Sequence, residues 1–186
     1  GPNEGSQDRF FVVTNNTNPG LTLLLLHVGS DGALVFQTTS NVSGTADVTI
    51  VLKDSGGTAN GGVDTSAPQT FTITVNSVND APFTNGPSFA ATNQQTPLVF
   101  SGLNTISVSD VDAGTDPIRV SLSATQGTLT LGSTAGLTFV TGDGVDDSTI
   151  VFTGLLTNIN SALNGLTYKP NSGFSGSASL QIVTDD

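Results

Sequence analysis

Thr70-Phe71-Thr72-Ile73-Thr74-Val75-Asn76-Ser77-Val78-Asn79-Asp80-Ala81-Pro82 is the stretch that decides how this chain is read. Its first six residues alternate hydroxyl and apolar side chains, which puts Phe71, Ile73 and Val75 on one face of an extended strand. Pro82 and the following Asn85-Gly86-Pro87 interrupt any ladder, and new alternating segments begin beyond them. The stretch is therefore a last strand running into a short stiff joint. That joint carries one amide oxygen, on Asn79, and one carboxylate, on Asp80.

Working upstream, alternation predicts strands over residues 9–14, 33–38 and 46–53, and 54–69 reads as a long Gly/Asp/Ser loop before a strand over 71–75. Residues 21–28 are apolar without alternating. Pro19-Gly20 and Gly29-Ser30-Asp31-Gly32 leave room for only about two helical turns there, so a buried strand is expected. Downstream, strands are predicted over 98–100, 105–109, 118–124, 128–131, 137–140, 149–153, 165–168 and 178–184. Thr157 followed by Ile159 and Leu163, four apart, predicts a short helix capped by the threonine. Charged residues make up 10% of the chain, against roughly 25% in ordinary globular proteins. Together with 22 glycines and the scarcity of helix-favouring runs, this makes the class all-β.

An internal repeat divides the chain. At one constant offset, without gaps, Gly44 aligns with Gly176, Leu34 with Leu166, Phe36 with Tyr168, Ala46 with Ala178, Val48 with Leu180, Ile50 with Ile182 and Asp54 with Asp186. Two domains are expected, 1–80 and 81–186. In this register the first lacks N-terminal strand(s) and the second lacks its closing strand. Each would then leave a sheet edge to be covered, by the same long polypeptide or by a neighbouring chain.

The segment TFTITVNSVNDAP, residues 70–82, resembles the junction between tandem cadherin-like, immunoglobulin-sandwich repeats of large bacterial surface proteins and adhesins, and the likeness covers nearly the whole chain. The resemblance implies two tandem immunoglobulin/cadherin-like β-sandwiches, a cell-surface or secreted extracellular location, and a stalk or filament stiffened by calcium. Its partners would be neighbouring repeats of the same polypeptide or identical subunits joined head to tail. By resemblance, Asn79-Asp80 matches the calcium-binding joint motif, and Asp110 with Asp112 matches a D-x-D motif. In such a sandwich alternate loops return to the pole where the chain comes in. Asn79, Asp80, Asp110, Asp112, Asp185 and Asp186 would meet at one pole, and Glu4, Asp8 and Asp54 at the equivalent front pole. D-x-D spacing turns both carboxylates to one side of an extended chain, and calcium takes 6–8 oxygens. The alternative reading of these acids is turn residues chosen for their local backbone hydrogen bonds.

Other functions find little support. Fifteen acids against four bases give a net charge of −11, and Arg9, Lys53, Arg119 and Lys169 cannot form a phosphate-neutralising stripe, which argues against nucleic acid. The longest apolar run, residues 23–26, is far too short to span a bilayer. With no cysteine there is neither a disulfide framework nor a thiolate metal site. His27 is the only histidine, no nucleophile–base pair assembles, and paired acids lack aromatic platforms because there is no Trp and only Tyr168. An enzyme is not expected. Gly56-Gly57 and Gly61-Gly62 flank no strand-to-helix phosphate loop. Residues 143–147 (Asp-Gly-Val-Asp-Asp) read as a solvated turn, and Lys53 and Lys169 as exposed strand lysines rather than partners in a side-chain isopeptide bond. Asn15-Asn16-Thr17 and Asn41-Val42-Ser43 fit the N-glycosylation pattern, which arises often in so polar a chain. The alternative function is a carbohydrate-binding accessory module of a secreted enzyme, disfavoured because the ten Phe read as core.

Overall fold

The computed structural model describes residues 7–21, 26–29 and 31–186. They fall into two compact units, divided between Val78 and Asn79. Both are β-rich and sandwich-like, with one α-helix among the described residues.

In the first unit, β1 (Arg9–Asn16), β4 (Gly44–Asp54) and β5 (Gln69–Val75) form an antiparallel sheet in the order β1-β4-β5. Ala46 and Val48 of the central strand are fully buried, as alternation requires, and the next buried position is Val51. This change of parity falls where β1 bulges between Val13 and Asn15, because an extra residue on one strand twists the pair locally. The hairpin of β2 (His27–Val28) and β3 (Leu34–Val35) is shorter than the predicted strands over 21–28 and 33–38. Of the first, residues 22–25 lie outside the described residues. The second breaks after Val35, with Phe36 exposed and outside any ladder, and Thr38 makes only a single bridge. The loop over 54–69 contains a single 3-10 turn, Ala59–Gly61.

The second unit contains β6 (Phe83–Asn85), β7 (Leu98–Phe100), β8 (Ser107–Ser109), β9 (Ile118–Ala124), β10 (Gly127–Thr130), β11 (Leu137–Thr141), β12 (Thr149–Gly154), α1 (Leu156–Leu163), β13 (Leu166–Pro170) and β14 (Leu180–Asp185). A sheet in the order β11-β12-β9-β14 faces one in the order β10-β13-β7, and β6 pairs with β8. Val120, Leu122, Ile150 and Phe152 from the first sheet meet Phe100, Leu129, Leu166 and Tyr168 from the second in one buried cluster. Helix α1 adds Ile159, Ala162 and Leu163 to it, each fully buried. The expected threonine cap is replaced: Leu155 occupies the cap position and makes no side-chain cap bond. The chain turns directly out of β12 at Gly154, so the helix starts two residues too early for Thr157 to cap it.

Two expectations about aromatic residues need correcting or sharpening. Only Phe100 and Phe152 of the ten phenylalanines are buried, Phe152 completely, while Phe10, Phe36, Phe83 and Phe89 are exposed. Sandwich layers this thin, with open edges, leave alternate apolar positions partly in water. Tyr168, in contrast, is buried, with its hydroxyl 3.0 Å from the carbonyls of both Thr125 and Gln126. A Cβ on Gly127 would lie 2.5 Å from the Tyr168 ring and from the Lys169 carbonyl, so only glycine lets this strand start so close to the ring. Burial raises the Tyr168 pKa, because the phenolate is the form penalised by desolvation.

The repeat holds at the level of single hydrogen bonds. In the first unit Thr17 N donates to Asp47 O (3.1 Å) and Asp47 N donates to Thr17 Oγ1 (2.9 Å). In the second, Thr125 N donates to Ser179 O (3.0 Å) and Ser179 N donates to Thr125 Oγ1 (2.9 Å). The aligned glycines Gly44 and Gly176 have φ of 136° and 141°, a backbone region that residues with a side chain rarely adopt. Strand pairs β1–β4 and β9–β14 are thus equivalent.

Candidate metal centre

The site forms where β8 ends. Ser107-Val108-Ser109 runs into Asp110-Val111-Asp112, and Asp110 Oδ1 turns back to accept from the backbone N–H groups of Asp112 (2.9 Å) and Ala113 (2.8 Å). Aspartate does this readily because its short side chain reaches the backbone two residues on. Bonds to the charged carboxylate, the Asp112 N–H foremost, hold the Asp110 pKa below the ordinary carboxylate value, with desolvation opposing them. A depressed folded-state pKa contributes stability above the ordinary value, and that contribution is lost as pH falls through the lowered one.

The other oxygen, Asp110 Oδ2, is buried with no hydrogen-bond partner. A buried carboxylate oxygen without a donor is costly. The Asp110 carboxylate has company of its own sign, for carboxylate oxygens of Asp110, Asp112 and Asp186 all lie within 4.8 Å of one another. Asp186 arrives from the end of β14, and Asp112 is fixed by the Asp80 backbone N–H, 3.1 Å from its Oδ2. Asn79 closes the group by donating from Nδ2 to Asp186 Oδ2 (2.8 Å). Three carboxylates this close repel one another unless a cation sits among them, and this cluster of three aspartates is able to hold a metal ion.

The other expected ligands lie elsewhere. Asp185 sits in β14 opposite Arg119, one residue from Asp186 and so turned to the other face of the strand; it is not in the three-carboxylate group. Asp54 pairs in register with Arg9, and its Oδ1 accepts from Gly56 N (2.8 Å). The Asp8 backbone accepts from Ser55 N and donates to Ser55 Oγ. Glu4 lies outside the described residues, and among those described the front pole assembles no carboxylate triplet. In the acidic loop, Asp147 Oδ2 accepts from Asp143 N and Gly144 N, and Asp143 Oδ1 from Val145 N. Those carboxylates organise their own turn. Lys169 is exposed, 3.6 Å from Asp146.

One positioning residue went unread in the sequence. Asn160, on α1, accepts from Val108 N through Oδ1 and donates to Val108 O through Nδ2, both at 2.8 Å. It pairs with β8 as a neighbouring strand would, two residues before Asp110. The available signal was an asparagine inside a short helix beside buried Ile159, a place it occupies only with a specific partner. We expect Asn160→Ala to cost about 2–4 kcal/mol, because it strands two backbone groups of buried Val108, and to weaken cation binding by loosening the loop. Asn160→Leu should behave the same, whereas an unchanged denaturation midpoint would show the clamp is idle.

A comparison of the chain with protein-family models finds no match, and neither does a comparison with curated proteins.

Proposed function

We propose that this chain is a non-enzymatic structural segment of an extracellular protein, two cadherin-like or immunoglobulin-like sandwiches in tandem, and that calcium bound at the start of the second unit stiffens the joint. The observation that carries the reading is the convergence of Asp110, Asp112 and Asp186 beside Asn79 and Asp80, with Asp110 Oδ2 buried and unpartnered. An all-oxygen donor set of carboxylates suits a hard cation and not a soft one. Oxygens on opposite sides of a calcium ion, each 2.3–2.6 Å from it, are about 4.6–5.2 Å apart. The cluster therefore needs only small adjustments, and the Asn79 amide carries a further oxygen at its rim. Neighbouring repeats, of the same polypeptide or of identical subunits, are the partners.

Isothermal titration of the chain with calcium and with magnesium tests this. One saturable calcium site with weaker magnesium binding is expected, and no heat above dilution for either ion rules the reading out. A carbohydrate-docking module is favoured only by the exposed rings of Phe83 and Phe89; binding on a glycan array abolished by Phe83→Ala with Phe89→Ala would establish it instead.

A further inference from the structure

The two units differ in strand pairing where their sequences repeat. In the first, β4 is paired on both sides: β1 covers Val48 to Asp54, and β5 covers Gly44 to Ile50. Residues 44–47 are strand only through β5. The equivalent strand β14 has β9 on one side and, among the described residues, no strand on the other, so that it is the edge of its sheet. The consequences are visible residue by residue. Residues 176–179, equivalent to 44–47, are not in a ladder, and β14 begins only at Leu180. Ala46 and Val48 are 1% and 0% exposed, whereas Ala178 is exposed and Leu180 half-buried.

The direction of the open backbone groups follows from the shared threonine. Ser179 turns its N–H and C=O toward Thr125. Groups along an antiparallel strand alternate sides, so those of Ala178, Leu180 and Ile182 point to the open edge. These are the counterparts of Ala46, Val48 and Ile50, which stand opposite Ile73, Phe71 and Gln69 of β5.

We propose that the open edge of β14, residues 176–182, is an acceptor site for one added antiparallel strand, and that its occupant is an extended segment with the pattern of β5. That pattern is hydroxyl residues alternating with an aromatic opposite Leu180 and an aliphatic opposite Ala178. The first unit itself shows what covers this edge: its own β5 on the equivalent strand. Strand addition of this kind draws affinity from main-chain bonds and specificity from alternate side chains. Pairing lengthens β14 back to Gly176, whose φ of 141° already matches that of Gly44 inside β4. The proposal rests on the repeat and not on the cation.

The test uses the full chain in EDTA, so that its outcome does not depend on metal. The probe is a synthetic peptide of sequence PQTFTITVN, the segment 68–76. Saturable one-to-one binding is expected, with amide exchange slowed at Ala178, Leu180 and Ile182, and a peptide with its apolar and hydroxyl positions interchanged should bind about tenfold more weakly or less. Ala178→Pro removes an outward N–H without touching the bonds to β9. It should reduce binding about tenfold while leaving the unfolding midpoint, followed through Tyr168 fluorescence, unchanged. Absence of slowed exchange at a saturating peptide concentration overturns the proposal. So does light scattering that shows two copies joined with these same amides protected, since the edge would then belong to a second copy.

Discussion

Replacing Asp110 and Asp112 together by alanine should abolish calcium binding. The pair supplies two of the three converging carboxylates, and Asp110 Oδ1 also shapes the loop that carries them. What remains is Asp186 with the neutral Asn79 amide and the exposed Asp80, too few oxygens for an ion that takes 6–8. A loss of at least about 100-fold is expected, equivalent to about 2.7 kcal/mol or more. Asp110→Asn with Asp112→Asn separates the two roles. Asparagine keeps an oxygen able to cap the same backbone groups but removes both charges, so the loop should persist and binding should still fall steeply. Calorimetry gives the affinity, and the thermal midpoint in EDTA gives the fold. Wild-type affinity in both double variants would mean that calcium, if bound, is bound elsewhere.

Phe152→Ala should cost the second unit about 3–5 kcal/mol, the range for removing a large ring from a packed core. Phe152, in β12, is 0% exposed in the same core cluster as Ile150 and the helix residue Ile159, and its ring lies 5.9 Å from that of Phe139 at 51°. The chain offers a clean reporter: it has no tryptophan and one tyrosine, Tyr168, buried in the same cluster. Tyrosine fluorescence under chemical denaturation therefore follows the second unit and not the first. A cost below about 1 kcal/mol would show that the layers close over the gap, contrary to close packing around this ring.

The legibility of the fold followed the strength of alternation. Ile118, Val120 and Leu122 alternate with Arg119, Ser121 and Ser123, and β9 spans the residues that pattern predicts, 118–124. The same holds for β7 at Leu98–Phe100. Strand β6 was not foreseen, because Phe83-Thr84-Asn85 is three residues between Pro82 and Gly86-Pro87 and is a strand only through its pairing with β8. Tertiary pairing, not local pattern, makes it one. At the site, the D-x-D spacing put Asp110 and Asp112 on one side of the chain and the sandwich topology that the resemblance implies brought Asp186 to them, while Asp185 showed the limit of that reading. Position along the chain puts it at a strand end, but side-chain parity turns its carboxylate to the face opposite Asp186. Asn160 was invisible for a different reason. Its role depends on a contact with Val108, 52 residues away, which no local pattern encodes.

The hydrogen bond from Asn79 to Asp186 joins residues 107 apart, the first residue of the second unit and the far end of β14. Whatever bridges the acidic cluster consequently closes almost the whole unit into a ring. Closing so long a loop restricts the unfolded chain far more than a contact between near neighbours would. It also ties two events that are independent in most domains. The end of β14 cannot peel away with Asp186 without releasing Asn79, so fraying there loosens the start of the unit as well. Amide exchange near residue 80 and in the last turn of backbone before 186 should accordingly slow together as cation is added, and by the same factor.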